Sequence, residues 1–257
     1  MKKYALLPLL GALFTTGVQA EQTPPPIIQN LPGHPAVLAS LPVKGTPLTA
    51  WLLRAGKRLG VVYTGTKGDY LIAGGEIMTS KGLLPVSRQL LSDYYSQHNF
   101  KALVDALQSA KTIHQGKSGP LIYVFWDPNC IYCHKLWDEL QPAIKTGRLQ
   151  VNWVPVGVIK RSSPAKAAAI LAAKSPLQAM QEDESRFNPQ IEEGGITVPK
   201  HIPERFLRAV SANTRLFEEN SMQGTPSILY RAKNGAWHVI PGYISLNELS
   251  SKLGFKL

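Results

Sequence analysis

The chain has 257 residues, 44% of them hydrophobic, and a formal net charge of +11. This length is enough for one large domain or two smaller ones with a buried core. The positive charge does not indicate nucleic-acid binding, because the basic residues are scattered and no basic run is interleaved with aromatic residues. We interpret the charge as a solvated surface that favours acidic partners or membrane lipid.

Residues 1–20 have the composition of a secretory signal peptide. Lys2 and Lys3 form a basic start, residues 5–14 are apolar, and residues 18–20 form a small-residue cleavage site. The apolar run is too short to anchor the chain in a bilayer. We therefore expect cleavage after Ala20 by the bacterial Sec route and a mature protein in the periplasm, a compartment that permits disulfides.

Residues 21–84 are predicted to form a small N-terminal domain. Seven prolines make 21–47 an extended lead-in with one short helix. Apolar runs at 48–54, 58–64 and 70–78 are separated by glycine-containing breaks, which indicates antiparallel strands joined by tight turns. A sheet of this size buries little apolar surface, so we expect a helix or a second copy of the sheet to cover one face.

Residues 85–116 are predicted to be a linker helix. Apolar side chains recur there at three- and four-residue spacings. This helix either separates two domains or covers the small sheet. The polar, glycine-bearing stretch at 115–120 breaks the pattern, so we expect a C-terminal domain over residues 117–257.

The most informative stretch, residues 121–140, reads LIYVFWDPNCIYCHKLWDEL. A continuous apolar run predicts a strand buried on both faces, and the break at 127–129 leads into a helix that begins near Cys130. Cys130 and Cys133 then share the first helical turn, where unpaired N–H groups and the helix dipole favour a thiolate. Two intervening residues let the sulfurs form a disulfide. The pattern predicts a redox-active dithiol.

The two cysteines admit three other interpretations. A structural disulfide that closes so short a loop contributes little stability. A zinc site needs more ligands than Cys130, Cys133 and His134. The sequence C-x-x-C-H also matches the attachment motif of c-type haem, although a buried strand leading directly into the cysteines argues against it. We expect neither metal nor cofactor.

The remainder alternates strands and helices. Residues 149–158 form an apolar strand, and 164–222 contain helical segments divided at Pro176. Thr225 and Pro226 open a predicted hairpin with Asn234-Gly235 at its turn, and a helix over 246–253 closes the chain. This order predicts a mainly parallel sheet.

With these motifs in place, the chain resembles the thioredoxin fold and, within it, the periplasmic thiol–disulfide isomerases of the DsbC/DsbG family, closest to the DsbG branch. The strongest match runs over 123–176 and includes VGVIKRSSPAKAAAILAAKSP; a weaker one covers 60–82. The resemblance implies a mixed α+β and α/β chain. Its C-terminal thioredoxin fold would carry a helical insertion at 164–222, after a cystatin-like dimerisation domain and a linker helix.

The resemblance also implies roles for single residues. Cys130 would be the exposed nucleophile and Cys133 the buried resolving thiol. Pro226 would be a cis-proline that turns the Thr225 backbone toward the cysteines to pair with a substrate strand. Tyr132 would shield or orient the couple and contact substrate.

Three positions bear on how closely the chain follows the family. Ile131 stands where the family usually has proline, in a dipeptide that tunes the reduction potential. Val124 occupies the position of the buried acid of thioredoxins, so that proton relay is absent. His134 either raises the thiolate fraction or is a solvated surface side chain.

The function implied is isomerisation or reduction of non-native disulfides, or of sulfenic acids, in exported proteins by a homodimer that a DsbD-type membrane reductase resets. The alternatives are a DsbA-like thiol oxidase and a non-enzymatic chaperone or binding module.

Overall fold

The computed structural model describes residues 23–75, 77–80, 82–98 and 100–257, so the expected signal peptide and its cleavage site lie outside the described residues. The N-terminal part contains a short helix and an antiparallel sheet of four strands in the order β1-β2-β3-β4. A separate two-stranded hairpin, β5-β6, follows. These elements are α1 (Pro26–Gln29), β1 (Ala36–Val43), β2 (Leu48–Ala55), β3 (Arg58–Gly65), β4 (Leu71–Ala73), β5 (Ile77–Thr79) and β6 (Gly82–Leu84).

Two N-terminal expectations need correction. The proline-rich lead-in contains the predicted short helix, but it also contains the eight-residue strand β1. Pro42 is tolerated there because β1 is an edge strand, where proline removes no obligatory ladder bond. The single strand predicted over 70–78 is two strands, β4 and β5, because Gly74 and Gly75 between them adopt positive φ angles of 74° and 87°.

The helix predicted over 85–116 is also divided. It consists of α2 (Val86–Ser96), α3 (Lys101–Leu107) and a short strand, β7 (Ile113–Gln115). β7 pairs antiparallel with the strand at Gln150–Pro155, so sheet pairing overrides the helical spacing there. The buried Gln115 side chain accepts a hydrogen bond from Trp153 Nε1 at 2.9 Å, which fixes this edge of the sheet.

The C-terminal part is built on a five-stranded sheet in the order β11-β10-β8-β9-β7. Its remaining strands are β8 (Leu121–Trp126), β9 (Gln150–Pro155), β10 (Ser227–Arg231) and β11 (Trp237–Pro241). The expectation of a mainly parallel sheet is wrong, because only β8 and β9 pair in parallel. β10 runs antiparallel to β8, since the long helical segment after β9 brings the chain back to the end of the sheet at which β9 ends, and β11 then pairs antiparallel with β10.

Helices pack on both faces of this sheet. They are α4 (Ile131–Lys145), α5 (Ser163–Ala172), α6 (Pro176–Ser185), α7 (Glu204–Glu219) and α8 (Leu246–Leu253). α5, α6 and α7 lie between β9 and β10, in the stretch expected to be a helical insertion.

Two large hydrophobic clusters flank the sheet. One lies under α4 and contains the cysteines together with Trp126 and Trp153. The other runs without interruption from Leu52 in the N-terminal sheet, through Leu107 in α3, to Phe125 on the opposite face of β8. Within the described ranges, no helix is long and apolar enough to cross a membrane.

Candidate active site

Cys130 lies at the junction where β8 turns into α4. Its backbone is extended (φ −93°, ψ 112°), which makes it the N-cap residue of the helix. Its Sγ accepts a hydrogen bond from the Cys133 backbone N–H at 3.3 Å. A sulfur in this position receives one of the unpaired N–H groups at the helix start, as the sequence predicted.

Thr225 brings a second backbone segment to the sulfur. The peptide bond between Thr225 and Pro226 is cis, as the resemblance implied. β10 starts at Ser227 and pairs there with Phe125 of β8, so the loop before β10 ends beside the dithiol. The Cys130 thiol donates a hydrogen bond to the Thr225 carbonyl oxygen at 3.1 Å.

Both thiols are free and buried. Cys133 is 0% exposed and Cys130 only 5% exposed. The expectation of an exposed nucleophile is therefore wrong, because the Thr225 backbone and the first turn of α4 cover Cys130. Cys130 is still the more accessible of the two sulfurs.

The electrostatics differ sharply between the two thiols. A hydrogen bond from the Cys133 thiol lowers the pKa of Cys130 against the opposing effect of burial, and backbone N–H groups add to the lowering. Burial, with the neighbouring Cys130 sulfur, raises the pKa of Cys133 well above its ordinary value. The pair can therefore hold one negative charge on Cys130 and one proton on Cys133.

The Thr225 hydroxyl also belongs to this environment. It is buried and makes no regular hydrogen bond with the described residues. It nevertheless lies close enough to Cys130 to lower the pKa of that thiol.

A buried carboxylate fixes the turn that carries the cysteines. Asp127 Oδ1 accepts hydrogen bonds from the Asn129 N–H at 2.9 Å and the Ser163 hydroxyl at 2.7 Å. Its Oδ2 accepts the N–H groups of Val158 at 2.7 Å and Ile159 at 3.0 Å. Asp127 thus ties the loop after β9 to the dithiol turn, although burial raises its pKa.

Asn129 links the same turn to the helical insertion. The buried Lys166 ammonium group donates to Asn129 Oδ1 at 3.1 Å and to the Gly194 carbonyl oxygen at 2.7 Å. The Gly194 N–H donates to Asn129 Oδ1 at 3.2 Å. A Cβ atom at Gly194 would lie 2.3 Å from the Asp183 carboxylate, so only glycine allows this close approach.

His134 is partly buried rather than a solvated surface side chain. Its Nδ1 lies 2.8 Å from Glu184 Oε2, and its ring stacks on Phe187 at 4.6 Å between centroids. Glu184 is buried and also accepts a hydrogen bond from the Trp126 indole N–H. Its hydrogen bond raises the pKa of His134, whereas burial raises the pKa of Glu184 itself. Glu184 therefore joins the two residues that flank the dithiol turn.

Asp183 is a further buried acid beneath this turn. Its Oδ1 accepts the Ile196 N–H at 3.0 Å, and its Oδ2 has no hydrogen-bond partner in the part of the chain that the structure describes. Burial raises its pKa from 3.8 to about 7, although the Ile196 N–H and the Lys166 charge oppose the shift.

The two residues between the cysteines lie at the rim. Tyr132, predicted to contact substrate, is 54% exposed, and Lys135 Nζ lies 5.2 Å from its ring centroid. Ile131 is half-buried. Val124 is buried in the core, so the acidic groups near the cysteines come from other positions.

The burial of Asp183 and Glu184 beside the dithiol turn was not predicted from the sequence. Asp183 and Glu184 lie in the segment QEDES at the end of α6, which has the composition of a solvated helix end. The one sequence signal was a glycine-bearing loop about ten residues later, since glycine allows a close approach of the backbone to a neighbouring side chain.

No group of three or more potential ligands within the described residues could hold a metal ion.

A family model described as a thioredoxin-like domain matches residues 107–256. The chain is similar to the thiol:disulfide interchange protein DsbG of Escherichia coli, with 34% identity over 144 residues that cover 54% of this chain and 55% of that protein. It is also similar to DsbC of Haemophilus influenzae, with 23% identity and 82% of both chains covered. The chain spans about half the length of the DsbG relatives it matches.

The chain is also similar to two solved structures. The compact conformation of Proteus mirabilis ScsC has a TM-score of 0.48 and 17% identity, covering 65% of this chain and 84% of that chain. Helicobacter pylori DsbG has a TM-score of 0.41 and 18% identity, covering 79% of this chain and 97% of that chain.

Proposed function

Since the chain belongs to the thioredoxin-like family, we propose that it is a thiol–disulfide isomerase or reductase with Cys130 and Cys133 as its redox-active dithiol. The observation that carries the proposal is the pair of free thiols at the start of α4, where Cys130 Sγ accepts the Cys133 N–H and the two thiol pKa values shift in opposite directions. This arrangement provides one nucleophilic sulfur and one protonated sulfur in contact. Its relatives named as thiol:disulfide interchange proteins support the same activity.

The reaction begins with attack of the Cys130 thiolate on one sulfur of a client disulfide. The Cys130–client bond forms as the client S–S bond breaks, and the released client sulfur leaves as a thiolate that takes up a proton. A second client thiol can then attack the mixed disulfide, which regenerates Cys130 and leaves a rearranged client. This outcome is isomerisation.

The alternative second step uses Cys133. After losing its proton, its sulfur attacks Cys130, releases the client as a thiol and leaves the enzyme oxidised. A sulfenic acid in the client is reduced by the same two steps, with water as the first leaving group. This outcome is reduction.

The Thr225 backbone supports client docking at this site. Its carbonyl oxygen lies 3.1 Å from Cys130 Sγ, at the end of a loop that leads into β10. An extended client segment beside this loop could form main-chain hydrogen bonds while its sulfur approaches Cys130. The exposed ring of Tyr132 would contact the client from the other side.

We further propose a periplasmic homodimer that a DsbD-type membrane reductase keeps reduced and whose clients are exported proteins. Residues 1–20 support export through their signal-peptide composition. The N-terminal sheet supports dimerisation, because Ile72 on its edge strand β4 is exposed, as is Met78 in the adjoining hairpin. A second copy could cover these apolar side chains.

The test is the reduction potential of the Cys130–Cys133 couple, measured by equilibration with glutathione on protein whose mass in solution is determined in parallel. We expect a dimer that also restores activity to ribonuclease with scrambled disulfides. Cys130→Ser should abolish this activity, whereas Cys133→Ser should lose only the reductive release and accumulate the mixed disulfide with clients that have no second thiol. A monomer with a reduction potential of about −120 mV would identify a thiol oxidase instead. Full activity in a variant without either cysteine would identify a chaperone.

A further inference from the structure

A cleft lies between the N-terminal sheet and the helical insertion. Its volume is about 720 Å³, and it has no role in the reaction steps above. One wall is the turn between β2 and β3, with Lys57 and Arg58, and the other is the end of α7, with Arg215 and Glu218. Phe217 and Met222, two of the apolar lining residues, are buried beneath it.

The cleft adjoins the active site through two short connections. Val158 lines the cleft, and its N–H donates to Asp127, the carboxylate that holds the dithiol turn. Gln223 also lines the cleft and lies two residues before Thr225, whose carbonyl oxygen contacts Cys130. Two residues of extended chain span about 7 Å. A client sulfur at Cys130 therefore leaves the neighbouring residues of the client within reach of the cleft.

The charges on the cleft walls are not fully neutralised. Lys57 forms a salt bridge with Glu219 at 3.5 Å. The side chains of Arg58 and Arg215 are exposed and form no ion pair or hydrogen bond with any residue that the structure describes. Glu218 is the one further carboxylate in the lining. The remaining charges are thus two guanidinium groups and one carboxylate, so the cleft has an excess of positive charge above its apolar floor.

The loop between cleft and dithiol adds to this imbalance. Arg161 lies in the loop after β9, three residues beyond Val158, and is exposed without an acidic partner among the described residues. The nearby Glu193 is already engaged, because it accepts from Ser162 at 3.2 Å and lies 3.8 Å from Lys166 Nζ. The path from Cys130 to the cleft therefore favours negative charge.

We propose that this cleft binds an acidic segment of the client polypeptide next to the cysteine under attack. The inference rests on the proposed function and specifies its substrate class. Guanidinium groups bind carboxylates through two parallel hydrogen bonds, and the apolar floor accommodates the methylene groups of a glutamate or an adjoining apolar side chain. At about 3.3 Å per residue, acidic residues about two to five positions from the target cysteine would reach Arg58 and Arg215.

The test compares two ten-residue peptides whose single cysteine carries thionitrobenzoate as a mixed disulfide. One has glutamates two to five positions from the cysteine, and the other has glutamines there. Attack by Cys130 on the peptide sulfur breaks the S–S bond and releases the coloured, low-pKa thionitrobenzoate anion. We expect the glutamate peptide to react about threefold faster or more at low ionic strength, and the ratio to fall as salt is added.

The double variant Arg58→Gln with Arg215→Gln should bring this ratio close to one. Its matched control is Lys117→Gln with Arg148→Gln, which removes the same charge. Both control side chains are exposed and precede β8 and β9, whereas Val158 follows β9, so they lie at the opposite end of the sheet. The control should keep the wild-type ratio. Equal rates for the two peptides in the wild type, or a ratio retained by the cleft variant, would overturn the proposal.

A binding measurement separates this proposal from the proposed reaction. The same peptides with serine in place of cysteine, labelled with a fluorophore, report binding by anisotropy without chemistry. Tighter binding of the acidic peptide that the cleft variant loses supports the cleft even if no thionitrobenzoate is released, in which case only the proposed activity fails. Equal binding of both peptides overturns the cleft assignment.

Discussion

At the scale of single residues, the chemistry of the site depends on which of the two thiols, Cys130 or Cys133, holds a proton. Cys130 is the N-cap of α4 and accepts from the Cys133 N–H, and the Cys133 thiol supplies the largest effect that lowers its pKa. The C-x-x-C spacing predicted the pair, and the apolar run and break before it predicted its place at the start of a helix. The sequence did not predict the burial of Cys130, because the covering atoms belong to Thr225, 95 residues later in the chain.

The first prediction concerns the donor at Cys133. Cys133→Ala removes the hydrogen bond from this thiol, so the pKa of Cys130 should rise, whereas Cys133→Ser keeps an O–H donor and should raise it less. The measurement is a pH titration of thiolate absorbance in the two reduced variants. Identical titrations in the alanine and serine variants would show that the Cys133 thiol does not set the charge on Cys130.

The second prediction concerns the Thr225 hydroxyl. Thr225→Val preserves shape and leaves the backbone carbonyl in place, so only the polar group is lost. Because this hydroxyl makes no regular hydrogen bond, the free energy of unfolding should stay constant or increase by up to about 1 kcal/mol. The thiolate titration should nevertheless move to higher pH. Thr225→Ser, which keeps the hydroxyl, is the control, and a shift of equal size in it would refute this role.

At the scale of elements, strong apolar runs were predictable and weak ones were not. β8, α4 and β9 are long and buried, so their hydrophobic patterns stand out in the sequence. β1, by contrast, looked like a lead-in because proline is common there, and β7 forms only because β9 offers it a partner. α6 carries two buried acids that composition assigns to solvent. The structure of these segments depends on the elements that pack against them, and a single sequence does not show which elements become neighbours.

The third prediction tests α6 through Asp183. A carboxyl group whose pKa rises on folding stabilises the fold fully below its unfolded pKa and loses that contribution as the pH rises through its folded pKa. For Asp183 this window runs from 3.8 to about 7. Asp183→Asn should therefore unfold less readily than the wild type at about pH 8, by about 1–3 kcal/mol after allowing for an unpaired amide N–H.

Urea unfolding at about pH 5 and about pH 8 measures this difference. The matched control is Asp93→Asn, which makes the same chemical change at an exposed position. Asp183→Asn should also flatten the decline in stability between the two pH values. If its decline equals that of the wild type, Asp183 is not the group that titrates.

At the scale of the whole molecule, one hydrophobic cluster connects the N-terminal sheet with the five-stranded C-terminal sheet. α3 lies in the middle of this cluster, and the phenol of Tyr95 in α2 reinforces it by donating to the Ser221 carbonyl oxygen at 2.6 Å. The sequence indicated a helix here but left open whether it separates two domains or covers one sheet. The division at residues 84 and 116 stays a prediction.

The fourth prediction tests that division. Leu107→Ala removes a buried side chain from the shared cluster and should cost about 2–5 kcal/mol of unfolding free energy. Because the cluster is shared, hydrogen exchange should accelerate in β2 and β3 as well as in β8 and β9. Leu207→Ala, at an exposed position, is the control and should change stability by no more than about 0.5 kcal/mol. Acceleration confined to one sheet would show two units that unfold separately.

In an activated thiol, thiolate character and exposure to solvent usually rise together. The cover over Cys130 separates these two properties. A thiolate open to solvent reacts with any small electrophile that diffuses past it, so its reducing electrons are lost between encounters. Here the charge is favoured but the sulfur is enclosed, and an attacking disulfide must displace part of the rim formed by Thr225. A polypeptide that binds along this rim can supply that displacement. Under the proposed function, the burial of Cys130 is therefore expected to slow its reaction with small oxidants more than its reaction with a bound client.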